Sequence, residues 1–288
     1  MVPFKPYTIN VNGRLMMLDA PKVMGILNLT PDSFYPDSRK QTGEEIRERV
    51  AQLVAEGADM IDVGAYSSRS GADDVPAEEE MTRLRRGLEI LRMEAPDMVV
   101  SVDTFRADVA TMCVEEYGVS IVNDISGGDM DRRMADVVAR LRVPYIIMHM
   151  QGTPQTMQQA PLYNDDVCRE VLRSLARRVD ELHDRGIADV IVDPGFGFGK
   201  TMGHNYQLME RLEELHMLEA PLLVGVSRKS MVYRLLDIAP DEALNGTTCL
   251  HTVALMKGAH ILRVHDVEAC RQCVTMVNKL RESSIKIS

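Results

Sequence analysis

The chain has no tryptophan, and only five cysteines are spread over its 288 residues. So few thiols in so long a chain cannot form a disulfide framework, and reduced cysteines in the cytoplasm are expected. Cys270 and Cys273 form one C-x-x-C, without a second pair or a following histidine. Both fit the stripe Val267, Cys270, Val274, Val277 of a final helix, which points to core packing over metal or redox chemistry. No run of eighteen apolar residues occurs, so no membrane span is expected. The start, MVPFKPYTIN, lacks the charged-then-apolar layout of a secretion signal. Positive charge is in deficit: 33 Lys and Arg face 43 Asp and Glu, a net charge of −10. Nucleic acid and anionic membranes are therefore not expected as partners, and any phosphate group must be held by a few placed cations.

A nucleotide loop is also missing, although VDPGFGFGKT (192–201) resembles one at first. A P-loop needs a glycine, four residues, then Gly-Lys-Ser/Thr. Counting back from Gly199-Lys200-Thr201, that glycine falls on Pro194. Gly195, Gly197 and Gly199 run G-x-G-x-G, so the dinucleotide pattern fails as well. A flexible turn is the plain reading of such a trio. Asp193, directly ahead of it, suggests instead a ligand brought close to backbone.

What is present is a regular alternation. The runs KVMGILN, MIDVGA, VVSVD, SIVND, YIIMH, DVIVD, LLVGVS and ILRVH are apolar and rich in β-branched residues. Between them lie helical periods, such as Val167, Val171, Leu175, Val179 and Leu182. Eight buried parallel strands alternating with helices predict an α/β fold, a closed (β/α)8 TIM barrel, as one domain over 1–288. Asn12-Gly13, between alternating apolar residues, predicts an N-terminal β-hairpin that plugs or flanks the barrel bottom.

Barrel enzymes place their chemistry where strands end. The first run ends at Asn28, the third at Asp103, the fourth at Asn123-Asp124 and the fifth at His149. The sixth ends at Asp193 and the seventh at Ser227-Arg228-Lys229. The eighth carries Arg263 and His265 on one face. A single such residue is readily a satisfied buried group, but a whole ring of them needs partners. Asp103, Asn123, Asp193 and Lys229 suit a flat heterocycle edged with N–H and C=O groups. Met148 and Phe198 can cover its faces. Arg69, Arg263 and His265 form a cationic set suited to phosphate oxygens. Asn28 can add an oxygen to a Mg²⁺ ion whose other ligands are phosphates and water. The residues thus describe a ring pocket beside a diphosphate pocket.

Several segments resemble the dihydropteroate synthase family of the folate pathway. They are GILNLTPDSF (25–34), GADMIDVGAYSSRSGA (57–72), SVDT (101–104), VNDISGG (122–128), MHMQGTP (148–154), DPGFGFGK (193–200), SRKS (227–230) and RVHDV (263–267), in the family's order. The resemblance implies that p-aminobenzoate displaces diphosphate from 6-hydroxymethyl-7,8-dihydropterin diphosphate, giving 7,8-dihydropteroate. It places Asp103, Asn123, Asp193 and Lys229 on the pterin. It sets Ser68, Arg69, Arg263 and His265 around the phosphates, Asn28 at magnesium, and Phe34, Ser70 and Ser230 beside p-aminobenzoate. It also implies a homodimer and a sulfonamide target. No protein nucleophile is expected, because the electron-rich ring can spread positive charge as diphosphate leaves. Catalysis then rests on Mg²⁺, Arg69, Arg263 and His265, with Lys229 on the ring, and on holding the amine in place.

The second loop departs from the family pattern Gly-Gly-Glu-Ser-Thr-Arg-Pro-Gly at Ala65, Tyr66, Ser68 and Ser70. Ser70 in place of proline loosens a loop that the resemblance sets against p-aminobenzoate. Two other readings use the same barrel: a methyltetrahydrofolate:corrinoid methyltransferase module, which needs no diphosphate set, and a catalytically silent pterin-binding paralogue. Elsewhere the residues read as structural. Glu78-Glu79-Glu80 reads as an acidic first helical turn, His183 and His216 as surface, His251 as core or interface, and the twenty methionines as core filler.

Overall fold

Asn12 and Gly13 take φ of 52° and 78°, the left-handed pair that a two-residue hairpin turn requires. They join β1 (Tyr7–Val11) to antiparallel β2 (Arg14–Leu18). The computed structural model describes residues 1–30, 43–66, 75–157, 161–163 and 166–284. Eight further strands follow: β3 (Lys22–Asn28), β4 (Met60–Gly64), β5 (Val99–Asp103), β6 (Ile121–Asp124), β7 (Tyr145–Met148), β8 (Val190–Asp193), β9 (Leu223–Val224) and β10 (Ile261–Val264). They pair in parallel in the order β8-β7-β6-β5-β4-β3-β10-β9, and a bridge between Val192 and Leu222 closes the ring. Each of the eight runs read from the sequence is one of these strands.

The helices between them are α1 (Gly43–Ala55), α2 (Ala77–Glu94), α3 (Ala107–Tyr117), α4 (Met134–Leu141), α5 (Val167–Asp184), α6 (Met202–Glu210), α7 (Ser230–Leu236), α8 (Leu244–Met256) and α9 (Val267–Ser284). α5 shows why they form. Asp166 caps it by accepting from the N–H groups of Cys168 and Arg169, and Val167, Val171, Leu175, Val179 and Leu182 are all buried.

Strand alternation sorts the interior into layers. One face of each strand, such as Ile61 and Val63 of β4 or Val190 and Val192 of β8, packs outward with the helices. The other face points into the barrel. Its lowest layer is Met24, Met60, Ile121, Ile146, Ile191, Leu223 and Ile261, with Val99 partly buried against it. Ile9, Val11 and Leu18 of the hairpin close on this layer, so the hairpin plugs the bottom as its sequence predicts. Two residues along each strand lies the next layer: Ile26, Asp62, Ser101, Asn123, Met148, Asp193, Gly225 and Arg263. A TIM barrel ordinarily fills such a layer with branched aliphatics. Here it turns polar, and that change positions the site.

Candidate active site

A carboxylate buried in a barrel core must find a donor or a cation. Asp62 is fully buried, and its Oδ2 accepts from Arg263 Nε at 2.5 Å and from Asn123 Nδ2 at 3.0 Å. Arg263 Nη2 donates to Asp103 Oδ2 at 2.7 Å. One guanidinium from β10 therefore bridges carboxylates from β4 and β5. Burial works against the charge of Arg263, but Asp62 and Asp103 outweigh it and hold its pKa above the ordinary value. Burial pushes the Asp103 carboxyl up to about 7; Arg263 opposes this and Asp62 adds to it.

Across the mouth, Asp193 ends β8 with its Oδ1 accepting from the Gly195 N–H at 2.7 Å. Burial raises its pKa, and Lys229 and Arg263 both act against that rise. Asp193 and Arg263 thus share one pocket. Lys229 donates to the Phe196 carbonyl at 2.5 Å and lies 4.5 Å from the Phe198 ring centroid. Burial draws its ammonium down to about 8, with Asp193 opposing. Gly225 leaves the layer open beside them: a Cβ there would lie 4.0 Å from both Asp193 Oδ2 and Lys229 Nζ. The apolar wall is one cluster of Phe105, Ile125 and Met148, with Tyr66, Met130, Met150 and Phe198 packed against it. Acceptors, one amide, two cations and an apolar wall around an open layer suit a polar flat ring.

The comparisons with known proteins agree. The family described as pterin binding enzyme matches residues 24–265. The dihydropteroate synthase of Escherichia coli K12 is 40% identical over 267 residues, 92% of this chain and 93% of the relative. The chain belongs to the dihydropteroate synthase family. A dihydropteroate synthase structure from Yersinia pestis with a sulfonamide drug complex superposes with a TM-score of 0.90 at 37% identity, covering 96% of this chain and 100% of that one. The Xanthomonas albilineans dihydropteroate synthase with 4-aminobenzoic acid superposes with a TM-score of 0.87 at 38% identity, covering 95% and 98%.

In this synthase the structure brings Asp103, Asn123, Met148, Asp193, Phe198, Lys229 and Arg263 to one end of the barrel. It differs from the sequence reading at two points. Arg263 does not stand apart from the ring residues: its guanidinium lies between Asp62 and Asp103, so the two pockets read from the sequence meet at this side chain. His265 is not a cation: burial drives it down to about 3, with Arg263 adding to the fall, so the imidazole is neutral. Its backbone N–H donates to Ser227 Oγ at 3.1 Å, and its Nδ1 lies 3.2 Å from that hydroxyl. Glu80 belongs to the acidic first turn of α2, as its sequence predicts, but it also has a second role. It is fully buried, accepts the Thr104 hydroxyl at 2.7 Å and pairs with Arg106, so it braces the loop after β5.

His183 is exposed and His251 is buried, as expected; His216 is half-buried, its Nε2 2.9 Å from the Lys257 carbonyl. Asp124 serves its own turn, accepting from Ser126, Gly128 and the Tyr145 hydroxyl. Arg228 pairs with Asp266 at 2.8 Å. Asn28 ends β3, and Ser230 opens α7 half-buried beside Lys229. Tyr66 stands edge-on to Phe105 with ring centroids 5.0 Å apart, and Gln155 Nε2 donates to its hydroxyl at 3.1 Å. The tyrosine that departs from the family pattern therefore ties three loops together. Phe34, Ser68, Arg69 and Ser70 lie outside the described residues.

Two site residues escaped the sequence reading. Asp62 stands mid-run in MIDVGA, where only its phase with Met60 marks it as inward. Lys200 stands in the sequence only as part of a failed P-loop pattern. Its buried ammonium lies 3.0 Å from His149 Nδ1 and donates to the carbonyls of Gly195, Phe198 and His149 at 2.9, 3.1 and 3.2 Å. It braces the glycine run from beneath. Gly195 needs that run's close fit, for its φ is 72° and a Cβ would stand 2.0 Å from the His149 carbonyl oxygen.

Proposed function

We propose that this synthase joins 6-hydroxymethyl-7,8-dihydropterin diphosphate to p-aminobenzoate, releasing 7,8-dihydropteroate and diphosphate. The observation that carries this reading is the polar second layer, where a barrel core would otherwise be aliphatic. Asp103, Asn123, Asp193 and Lys229 hold the ring edge. Met148 and Phe198 lie along its faces. The C–O bond to diphosphate breaks first, and the ring shares the positive charge left on the methylene carbon. The amine of p-aminobenzoate then forms the C–N bond and gives its proton to solvent. Arg263 and Arg69 stabilise charge on the departing diphosphate, with Ser68 and the neutral His265 as hydrogen-bond donors. Phe34, Ser70 and Ser230 border the p-aminobenzoate site.

Mg²⁺ belongs to the same proposal. Among the described residues no group of three or more His, Cys, Asp or Glu side chains could hold a metal ion. Asn28, at the end of β3, carries one hard amide oxygen, which would suit a hydrated ion bound together with the diphosphate. Bound there, Mg²⁺ would supply Lewis-acid neutralisation of the leaving group. We also read the protein as a cytoplasmic homodimer, a sulfonamide target, and a single functional unit over 1–288. The five cysteines are unpaired, which suits a reducing compartment. Leu235 and Leu236 of α7, Leu244, Val253 and Met256 of α8 and Met276 and Leu280 of α9 are exposed, and such an apolar face suits a second copy.

Diphosphate release tests the reaction. Release that requires the pterin diphosphate, p-aminobenzoate and Mg²⁺ together is expected. Pterin binding without turnover would indicate a silent paralogue, and methyl transfer to a corrinoid protein the methyltransferase reading.

The pH profile of kcat/KM for the pterin diphosphate should be a narrow bell. The ring is gripped by ionised Asp103 and protonated Lys229. Asp103 sits at about 7, so kcat/KM falls as pH drops below that value and the carboxylate is lost. Lys229 sits at about 8, so it falls again as pH rises above that value and the ammonium is lost. A flat profile from pH 6 to 9 would remove this pair from ring recognition.

A further inference from the structure

Asp62 takes no part in the chemistry above, yet it touches two residues that do. It lies mid-strand in β4, without exposure, and one of its oxygens accepts from both Asn123 Nδ2 and Arg263 Nε, at 3.0 and 2.5 Å. A carboxylate accepts and cannot donate. The amide of Asn123 therefore has one orientation: its nitrogen faces Asp62 and its Oδ1 faces away. Among the described residues no donor takes that Oδ1. Arg263 is held at its Nε by Asp62 and at one Nη by Asp103, so its plane is set as well.

An asparagine without such an anchor can flip, offering either a donor or an acceptor to a ligand. Anchored on Asp62, Asn123 spends one of its two N–H donors there and holds its Oδ1 as a fixed acceptor on the side away from Asp62. A ring with an N–H or amino group there is accepted, and one with a carbonyl oxygen there meets two lone pairs. A pocket that leaves a buried polar group unpaired discriminates strongly between such ligands.

We propose that Asp62 is a specificity-determining positioning residue, which fixes Asn123 as a hydrogen-bond acceptor so that the pocket selects an amino-bearing ring over its oxo counterpart. This inference rests on the ring-binding role proposed above. The second Asp62 oxygen and the Ser101 hydroxyl beside it are buried without a partner among the described residues. The floor of the pocket thus carries further unspent polarity, and β4 and β5 place Asp62 and Ser101 in register.

The test is binding of two probes, 6-hydroxymethylpterin and the 2,4-dioxo analogue 6-hydroxymethyl-lumazine, to wild type, Asp62→Asn and Asp62→Ala. Wild type should prefer the amino ring by roughly a hundredfold or more. Asp62→Asn keeps an oxygen that can accept from both Arg263 Nε and Asn123 Nδ2, so its preference should stay within about threefold of wild type. Asp62→Ala frees the amide, and the preference should fall by about tenfold or more. Two results overturn the proposal: Asp62→Ala weakening both probes equally, or Asp62→Asn losing the preference. If Asp62→Ala does not fold, Asp62→Asn with lost preference still overturns it, and Asp62→Asn with retained preference supports it. Wild type that binds neither probe is a separate outcome, which overturns the ring-binding reading itself.

Discussion

Arg263→Met slows diphosphate release by about a hundredfold to a thousandfold and destabilises the fold by about 3–5 kcal/mol. The two losses share one cause. Arg263 bridges Asp62 and Asp103 at 2.5 and 2.7 Å, with Asp62 fully buried and the side chains of Arg263 and Asp103 only 21% and 19% exposed. Methionine fills a similar volume but leaves two carboxylates facing each other without a cation. Truncating one partner of a buried ion pair is costly because the other charge stays behind. Arg263→Lys restores charge but not the bridge, since a point ammonium replaces a planar fork. The pH dependence follows in sign. Arg263 now lowers the Asp103 pKa, against burial that raises it. Without the guanidinium, the folded carboxyl rises further above its unfolded value. A group raised in this way favours folding in acid and loses that contribution as pH rises through its folded pKa. The gap in urea midpoint between wild type and Arg263→Met should therefore be wider at pH 8 than at pH 5. Equal gaps at both values, or an unchanged midpoint, would show that Arg263 is not what holds the two carboxylates.

The fold was legible because its signal is repeated. Eight β-branched runs separated by helical periods admit few architectures, and Asn12-Gly13 marks its hairpin by backbone chemistry alone. The site was legible at strand ends, where Asp103, Asn123, Asp193, Lys229 and Arg263 interrupt apolar runs. What stayed hidden depends on closure. Asp62 and Arg263 are 201 residues apart, and only the ring of strands brings them together. Nothing local says that Arg263 bridges a carboxylate of β4 and one of β5. His265 reads as a cation in sequence and is neutral in the fold, because burial decides its charge. Asp62 was recoverable in principle: two residues past Met60, it shares the inward phase of the plug layer. Glu80 could not be told from Glu78 and Glu79 without knowing which helical face meets the loop after β5.

Lys200→Met should cost roughly 3–9 kcal/mol of stability, because three buried acceptors lose their donor at about 1–3 kcal/mol each. The ammonium faces His149 Nδ1 and the carbonyls of His149, Gly195 and Phe198. Gly195 keeps a second partner, the Phe198 N–H at 3.1 Å, so the orphaned acceptors are His149 Nδ1 and the carbonyls of His149 and Phe198. The glycine run loses its brace, and with it the placement of Phe198 under Lys229. Pterin affinity should drop by about tenfold or more. The sign of the pH effect is distinctive. Burial lowers the Lys200 pKa from 10.5 to about 7, with Asp193 opposing. Between those values the unfolded chain holds a proton that the folded chain sheds. The lysine's contribution to stability is therefore fully present only above the unfolded pKa, and it declines as pH falls towards 7. Chemical denaturation of wild type and Lys200→Met from pH 6.5 to 9.5 should show a stability difference that grows with pH. A constant difference would mean that Lys200 keeps its proton throughout, as a permanently charged clamp on the backbone that holds the ring.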